Sequence, residues 1–282
     1  MRSLKNITSI ILLALCFVYF LSSSPVFADA SQYEGNVFEG TNLNDHWIIF
    51  NKPPFKYENS KIVSVQAITT KEALVSMVPK ELSVNEENKI IFFIGKLNIA
   101  GEYIYSYNEG GIVIPVTYKK GTDQELDAYF IPILYLDKTN PIVGGREVYG
   151  YNKHHADIEL IEEEKQMRGI VSQWGKTLID ITVSTDSPKV RESIELKHGG
   201  HFVIKRIPSA AYDGTLEIHQ LNHVEVSNYL IKDYYVGEGK LRLGGPDWEQ
   251  LNKIPIESIK ESSYHTESAD LGKGKTVHDY LK

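Results

Sequence analysis

Ala128-Tyr129-Phe130-Ile131-Pro132-Ile133-Leu134-Tyr135-Leu136 leads through a turn at 137–141 into Gly145-Arg146-Glu147-Val148-Tyr149-Gly150-Tyr151-Asn152-Lys153-His154-His155. The first part is a short, continuous apolar run rich in aromatic and branched side chains, which reads as a buried strand. Pro132 has no N–H to give a ladder, so the run predicts a bulge at that point or a strand at a sheet edge. Working outward, residues 62–67 alternate branched and polar residues, 90–97 is a second strand, and 112–118 is a clear β-branched one. Thr69-Thr70 before Lys71-Glu72 caps a helix over 70–78. Beyond Lys153, two short strands over 169–184 flank Trp174-Gly175-Lys176, and further strands fall at 202–207, 217–226, 227–236, 240–243, 259–263 and 268–271. The acidic run 159–164, followed by Lys165, reads as a solvated helix or loop face. Strands dominate, helices are few, and no repeat or low-complexity block interrupts them. The pattern gives a mostly β (α+β) chain, one mostly antiparallel domain with a few helices.

The amino terminus has a separate purpose. Arg2 and Lys5 precede an apolar stretch at 10–21, and Val26-Phe27-Ala28 or Ala28-Asp29-Ala30 supplies small residues for a cut. Residues 1–28 read as a signal peptide, 29–53 as a partly ordered lead-in that ends at Lys52-Pro53-Pro54, and 54–282 as the domain. An uncleaved anchor is the alternative, since the apolar stretch falls just short of a bilayer span. Leu15 stands where a lipoprotein box wants a small residue. Cleavage places the mature protein outside the cytoplasmic membrane with no stable membrane association. Cys16 is the only cysteine, so the mature chain has no disulfide within it, no thiol nucleophile and no cysteine metal site. A mature chain of this length buries enough surface to fold without such staples. The formal charge is −7, and loss of Arg2 and Lys5 takes it to −9. With no basic stripe, that balance argues against nucleic acid as a partner.

The histidines suggest no metal centre. His219 and His223 are four apart, but on a stretch that reads as strand, where that spacing does not converge two ligands. The pair His154-His155 has no His-Glu-x-x-His context. Gly244-Gly245-Pro246 is a turn and not a phosphate loop, and no Gly-x-Ser-x-Gly elbow is present.

Taken alone, Lys153 would be a solvated surface charge. Its setting says otherwise. The Gly-Arg-Glu turn, the tyrosine pair and the lysine resemble the nucleophilic lysine segment of the acetoacetate decarboxylase family. The resemblance runs from about residue 54 to 282. Ala73-Leu74-Val75-Ser76-Met77-Val78-Pro79-Lys80-Glu81-Leu82 resembles the family's helix and its exit. Tyr107-Asn108-Glu109-Gly110-Gly111-Ile112-Val113-Ile114-Pro115-Val116 resembles the loop and strand that carry its acidic residue. Tyr135-Leu136-Asp137, Ile207-Pro208 with Tyr212-Asp213-Gly214, and His278-Asp279-Tyr280-Leu281-Lys282 fit in order.

The resemblance implies a single cone-like antiparallel β-barrel with a few flanking helices and Lys153 in a buried cavity. It implies a Schiff base with a small-molecule keto acid, no cofactor beyond the lysine, and a homo-oligomer. An amine must be unprotonated to attack a carbonyl, and a free lysine with a pKa of about 10.4 is almost wholly protonated at neutral pH. Burial in an apolar pocket, or a neighbouring cation, disfavours the charged form. Acetoacetate decarboxylase is itself the standing example of a lysine activated in this way. Glu109 matches the acidic residue that would move a proton to or from the enamine carbon; without the resemblance it is a turn carboxylate beside two glycines.

Other pocket positions follow by resemblance. Tyr151, two residues before Lys153, faces the same side of a strand and lines the pocket or packs in the core. Arg146 and Glu147 are pocket candidates or a structural pair in the turn. His154 stands where the family has a second lysine. Ser60 falls at the place of a pocket arginine and Phe92 at that of a glutamate, with Lys61 a point-charge substitute for the lost fork. These departures weaken the case for acetoacetate itself. Three functions stay open: a β-keto acid decarboxylase, an imine-dependent aldolase or dehydratase, and an exported small-ligand-binding protein without turnover.

Overall fold

The computed structural model describes residues 53–282 apart from 101–104, 121–123, 186–188, 192–193, 196–198 and 247–250. The signal-peptide reading and nearly all of the lead-in lie outside the described residues. The order is β1 (Phe55–Ile68), α1 (Lys71–Met77), β2 (Leu82–Val84), β3 (Lys89–Ala100), β4 (Tyr105–Lys120), β5 (Gln124–Leu136), α2 (Thr139–Gly144), a π-helical turn (Gly145–Tyr149) and β6 (Lys153–His155). Then come β7 (Asp157–Glu163), β8 (Gln166–Gln173), β9 (Lys176–Ser184), β10 (Lys189–Arg191), β11 (Ile194–Glu195), β12 (His201–Pro208), β13 (Leu216–Val236), β14 (Gly239–Leu243), a 3-10 turn (Leu251–Lys253) and β15 (Ser258–Asp279). Mostly β with few helices is what the strand pattern implied.

Strands β4, β3, β1, β15, β13, β12 and β5 pair in that order, and pairing of β5 with β4 closes them into a ring. Most pairings are antiparallel; β12 and β6 join β5 in parallel. A second sheet, in the order β14-β9-β8-β7, packs on the ring's outer face, where Phe92, Ile94 and Val63 share a core with Val171, Ile179 and Ile181. Each fully buried side chain of this size contributes about 1.5 to 3 kcal/mol.

Pro132 sits at a bulge, not at an edge. Ile133 opposes Ile112 and Phe130 opposes Ile114, so β5 carries one residue more than β4 between these pairs. The Pro132 carbonyl accepts from Asn152 Nδ2 at 3.0 Å on the other side. Thr70 caps α1 by accepting from the Ala73 N–H at 3.2 Å. Three expectations need correction. The strands expected at 217–226 and 227–236 are one strand, β13, which shifts register between Val224 and Val226 and between Ser227 and Leu230. Those at 259–263 and 268–271 likewise merge into β15. Bulges let a long strand curve without ending. The acidic run lies largely on β7, where Ile158 is buried and Glu159, Glu162 and Glu163 face solvent. The run is a strand at the edge of the second sheet, not a helix or loop face.

Candidate active site

Lys153 is placed by the turn before it. Gly150, at φ 99°, adopts the left-handed conformation that closes the π turn, and its N–H and that of Tyr151 both donate to the Gly145 carbonyl, at 2.9 and 3.0 Å. The reversed chain then lies on β5, with Lys153 opposite Leu134. Gly145 leaves room for the amine: a Cβ there would stand 2.6 Å from Lys153 Cδ and 3.3 Å from Nζ. Arg146 is exposed, and its Nη1 donates to the Lys153 carbonyl at 3.1 Å.

The Lys153 side chain enters the ring, where Nζ meets Glu109 Oε2 at 3.0 Å, with only 8% and 9% of the two side chains exposed. Glu109 comes from β4 beside a fixed corner: Asp137 accepts from the Asn108 N–H at 2.9 Å and from its Nδ2 at 3.1 Å. Two buried rings flank the amine. Nζ lies 5.2 Å from the Tyr151 ring centre and 5.9 Å from that of Tyr107. The Tyr107 hydroxyl is 3.1 Å from that of Tyr57, and the Tyr151 hydroxyl is 2.8 Å from His201 Nδ1. Burial pushes the Tyr57, Tyr107 and Tyr151 hydroxyls above their ordinary value, and the Glu109 charge adds to the effect on each. All three stay protonated near neutral pH. Tyr149, behind them, is pushed up to about 12 by burial, and its hydroxyl donates to the Gly272 carbonyl at 2.9 Å.

Lys153, Glu109, Tyr57, Tyr107, Tyr151 and His201 line one cavity of about 420 Å³. Its apolar wall includes Ile62, Phe93, Leu97, Ile131 and Leu134. A carboxyl group at hydrogen-bond distance from a buried amine can relay protons to whatever the amine attacks.

Of the residues singled out in the sequence, Lys153, Glu109 and Tyr151 meet in the cavity. The others do not line it. Phe92 is fully buried on the opposite face of β3, packed towards the second sheet, while its neighbours Ile91 and Phe93 face the cavity. Ser60 sits at a register shift of β1, and its Oγ accepts from the Asn98 N–H at 3.2 Å. Lys61 is exposed and pairs with Glu162 at 2.9 Å. His154 follows Lys153 on β6 and so points to the other face, with Nε2 2.9 Å from Asn152 Oδ1. It therefore brings no charge beside the amine. Arg146 and Glu147 are exposed in the π turn, outside the cavity. His219 packs on Tyr280 and His223 on Phe202, and neither shares the cavity.

Sequence reading missed Tyr57, Tyr107 and His201, which stand on three different strands. It also missed Glu261, Ser263, His265 and Glu267 of β15, all of which line the cavity. Their two-residue spacing was the available signal, broken because only 259–263 and 268–271 read as strand.

A ring of strands around a cavity with an internal amine–carboxyl pair defines a class of β proteins built to enclose a small molecule. The sequence model described as Acetoacetate decarboxylase (ADC) matches residues 42–281. The chain belongs to the acetoacetate decarboxylase family. Acetoacetate decarboxylase 3 of Mesorhizobium japonicum is 28% identical over 237 residues, spanning 82% of this chain and 88% of that protein. The crystal structure of acetoacetate decarboxylase from Legionella pneumophila superposes with a TM-score of 0.72 at 23% identity, over 88% of this chain and 99% of that one. The enduracididine biosynthesis enzyme MppR, complexed with pyruvate, superposes with a TM-score of 0.68 at 14% identity, over 86% and 99% of the two chains. These two likenesses establish the fold.

Proposed function

We propose that the protein is an exported lyase in which Lys153 forms an imine with a β-keto acid. The observation that carries this reading is the buried Lys153–Glu109 pair, 3.0 Å apart at the wall of the cavity. The Lys153 amine attacks the ketone, a C–N bond forms and water leaves. The bond to the carboxylate carbon then breaks, carbon dioxide departs, and the electron pair moves into the protonated imine to give an enamine. Glu109 delivers a proton to the enamine carbon, and water hydrolyses the resulting imine to release the ketone and the amine. Family membership and the curated relatives named acetoacetate decarboxylase support the same chemistry. The test is carbon dioxide release from a panel of β-keto acids, with Lys153→Ala as the control. Release by the parent protein and none by the variant is expected; equal release by both overturns the reading.

A second reading has a specific motive. Among the described residues no arginine lines the cavity, and Lys153 is the one lysine that does. A charge-assisted bond to a substrate carboxylate is worth about 1.5 to 3 kcal/mol, and its loss slows a step by roughly one to two decades. Acetoacetate should therefore be decarboxylated slowly even where the imine forms, and an aldol or dehydration reaction through the same imine becomes the rival. Brisk decarboxylation of acetoacetate would remove that rival.

Export rests on the amino-terminal sequence: the basic start, the apolar core and the small residues before Asp29. Self-association is proposed by family likeness alone.

A further inference from the structure

The cavity has a second polar end that the chemistry at Lys153 does not use. Glu261, Ser263, His265 and Glu267 alternate along β15 and all face inward. Glu261 Oε1 accepts from the Tyr234 hydroxyl at 2.5 Å and from Gln66 Nε2 at 3.4 Å. Glu267 Oε2 accepts from the Tyr229 hydroxyl at 2.7 Å and meets His265 Nε2 at 3.3 Å. Glu267 Oε1 accepts no hydrogen bond among the described residues. His265 is 9% exposed, and its Nδ1 is buried with no hydrogen-bond partner. If Nε2 donates to Glu267, Nδ1 carries a lone pair, so it too is an acceptor. A buried polar atom without a partner is costly. Among the described residues, the lysine at the opposite end is the one Lys or Arg that lines the cavity, and it is already paired with Glu109.

We propose that this end of the cavity is a recognition subsite for a cationic, hydrogen-bond-donating group, an ammonium or guanidinium, carried on the far end of the carbonyl substrate. The proposal rests on the imine reading for Lys153 and names the substrate class. Glu267, whose Oε1 is engaged by neither the Tyr229 hydroxyl nor His265, attracts a cation and repels a carboxylate, and the Tyr229 and Tyr234 rings that share the cavity suit a cation further. Register sets the two ends apart. Glu109 opposes Gly95, Gly95 opposes Ile62 and Ile62 opposes His265, so three strand spacings, roughly 14 Å along the wall, separate Glu109 from His265. A substrate that engages both ends therefore spans the cavity. A cavity of about 420 Å³ has the room, since pockets of about 300 to 1,000 Å³ hold drug-sized ligands.

The test uses three methyl ketones of one chain length, ending in a guanidinium, a carboxylate or a methyl group, each trapped on the purified protein with borohydride and read by intact mass. The guanidinium ketone should half-saturate trapping at a concentration about tenfold or more below the methyl-ended one, with the carboxylate-ended one weakest. Glu267→Gln should collapse that ratio; reading the ratio within each variant cancels any loss of folded protein common to all three ketones. Equal trapping of the three, or preference for the carboxylate end, overturns the subsite. If no ketone is trapped, the imine reading falls and the subsite is judged alone, by calorimetry with hexylguanidinium, which has no carbonyl. Binding that weakens in Glu267→Gln then supports it, and no binding overturns it.

Discussion

At the residue scale the account turns on Lys153 and Glu109. Taking one member out of a buried pair leaves the other without compensation and typically costs about 3 to 5 kcal/mol, whereas two apolar replacements of similar volume are often tolerated. The double variant Lys153→Met with Glu109→Leu should therefore be more stable to urea than either single variant; additive losses would show that the two side chains are not coupled. Glu109→Gln should keep imine trapping and slow turnover by about two to four orders of magnitude, the usual contribution of a positioned proton carrier. Single-turnover measurements with a β-keto acid separate the two steps. Lys153 and Glu109 were legible because their neighbours match a family pattern, whereas Tyr151 was left open between pocket and core and stands just before β6, which begins at Lys153. Ser60, Phe92 and His154 stand outside the cavity for different reasons: Ser60 falls at a register shift of β1, His154 directly follows Lys153 on β6, and Phe92 is on the outward face of β3. Successive strand residues face opposite sides, so an alignment off by one turns a pocket residue into a core or surface residue. Phe92 between Ile91 and Phe93 is the clearest case.

At the element scale, the π turn and the short β6 fix where the amine points. Gly145→Ala would push against the flexible end of Lys153 and not against backbone. The variant should fold with little change in Tm and lose most imine formation, because the amine must leave its place beside Glu109. Full activity in Gly145→Ala would contradict the placement. The second sheet depends on a charge. Asp180 of β9 accepts from Arg168 Nε at 3.0 Å and Nη2 at 2.9 Å, and from Arg242 Nη2 of β14 at 3.0 Å. The Arg168 hydrogen bonds, with Arg242 beyond them, hold its carboxyl below the ordinary value of 3.8. A depressed carboxylate stabilises the fold above its unfolded pKa and loses that contribution as pH falls through the folded one. Asp180→Asn should thus be less stable than the parent near neutral pH, with the gap closing below about pH 3.8 in a pH series of urea midpoints. A gap that persists in acid would assign the loss to packing. Pro132 showed in advance that β5 breaks its ladder, since it has no N–H to give. The merging of two predicted strands into β13, and of two into β15, was not visible. Bulges hide continuity from an alternation count, and with it went the inward row from Glu261 to Glu267.

At the scale of the whole molecule, strand content and family were readable from sequence, because branched and aromatic runs persist through the chain. The closure of β5 onto β4 and the docking of the four-stranded sheet were not, since each joins distant segments by contacts that no local pattern encodes. The same holds for the acidic end of the cavity, built from β1, β13 and β15 together. The amino-terminal reading makes its own prediction: the secreted form begins near Asp29 or Ser31, and N-terminal sequencing of natively expressed protein checks it. An intact Met1, or retention in the membrane, would contradict export by cleavage. The central claim is that one buried amine forms the covalent link to substrate. Its most direct measurement is borohydride trapping of a keto acid on the purified protein, followed by peptide mapping of the adduct. A single reduced adduct on Lys153, absent from Lys153→Ala, is the predicted result; an adduct on another lysine, or none in folded protein with any carbonyl offered, would contradict it.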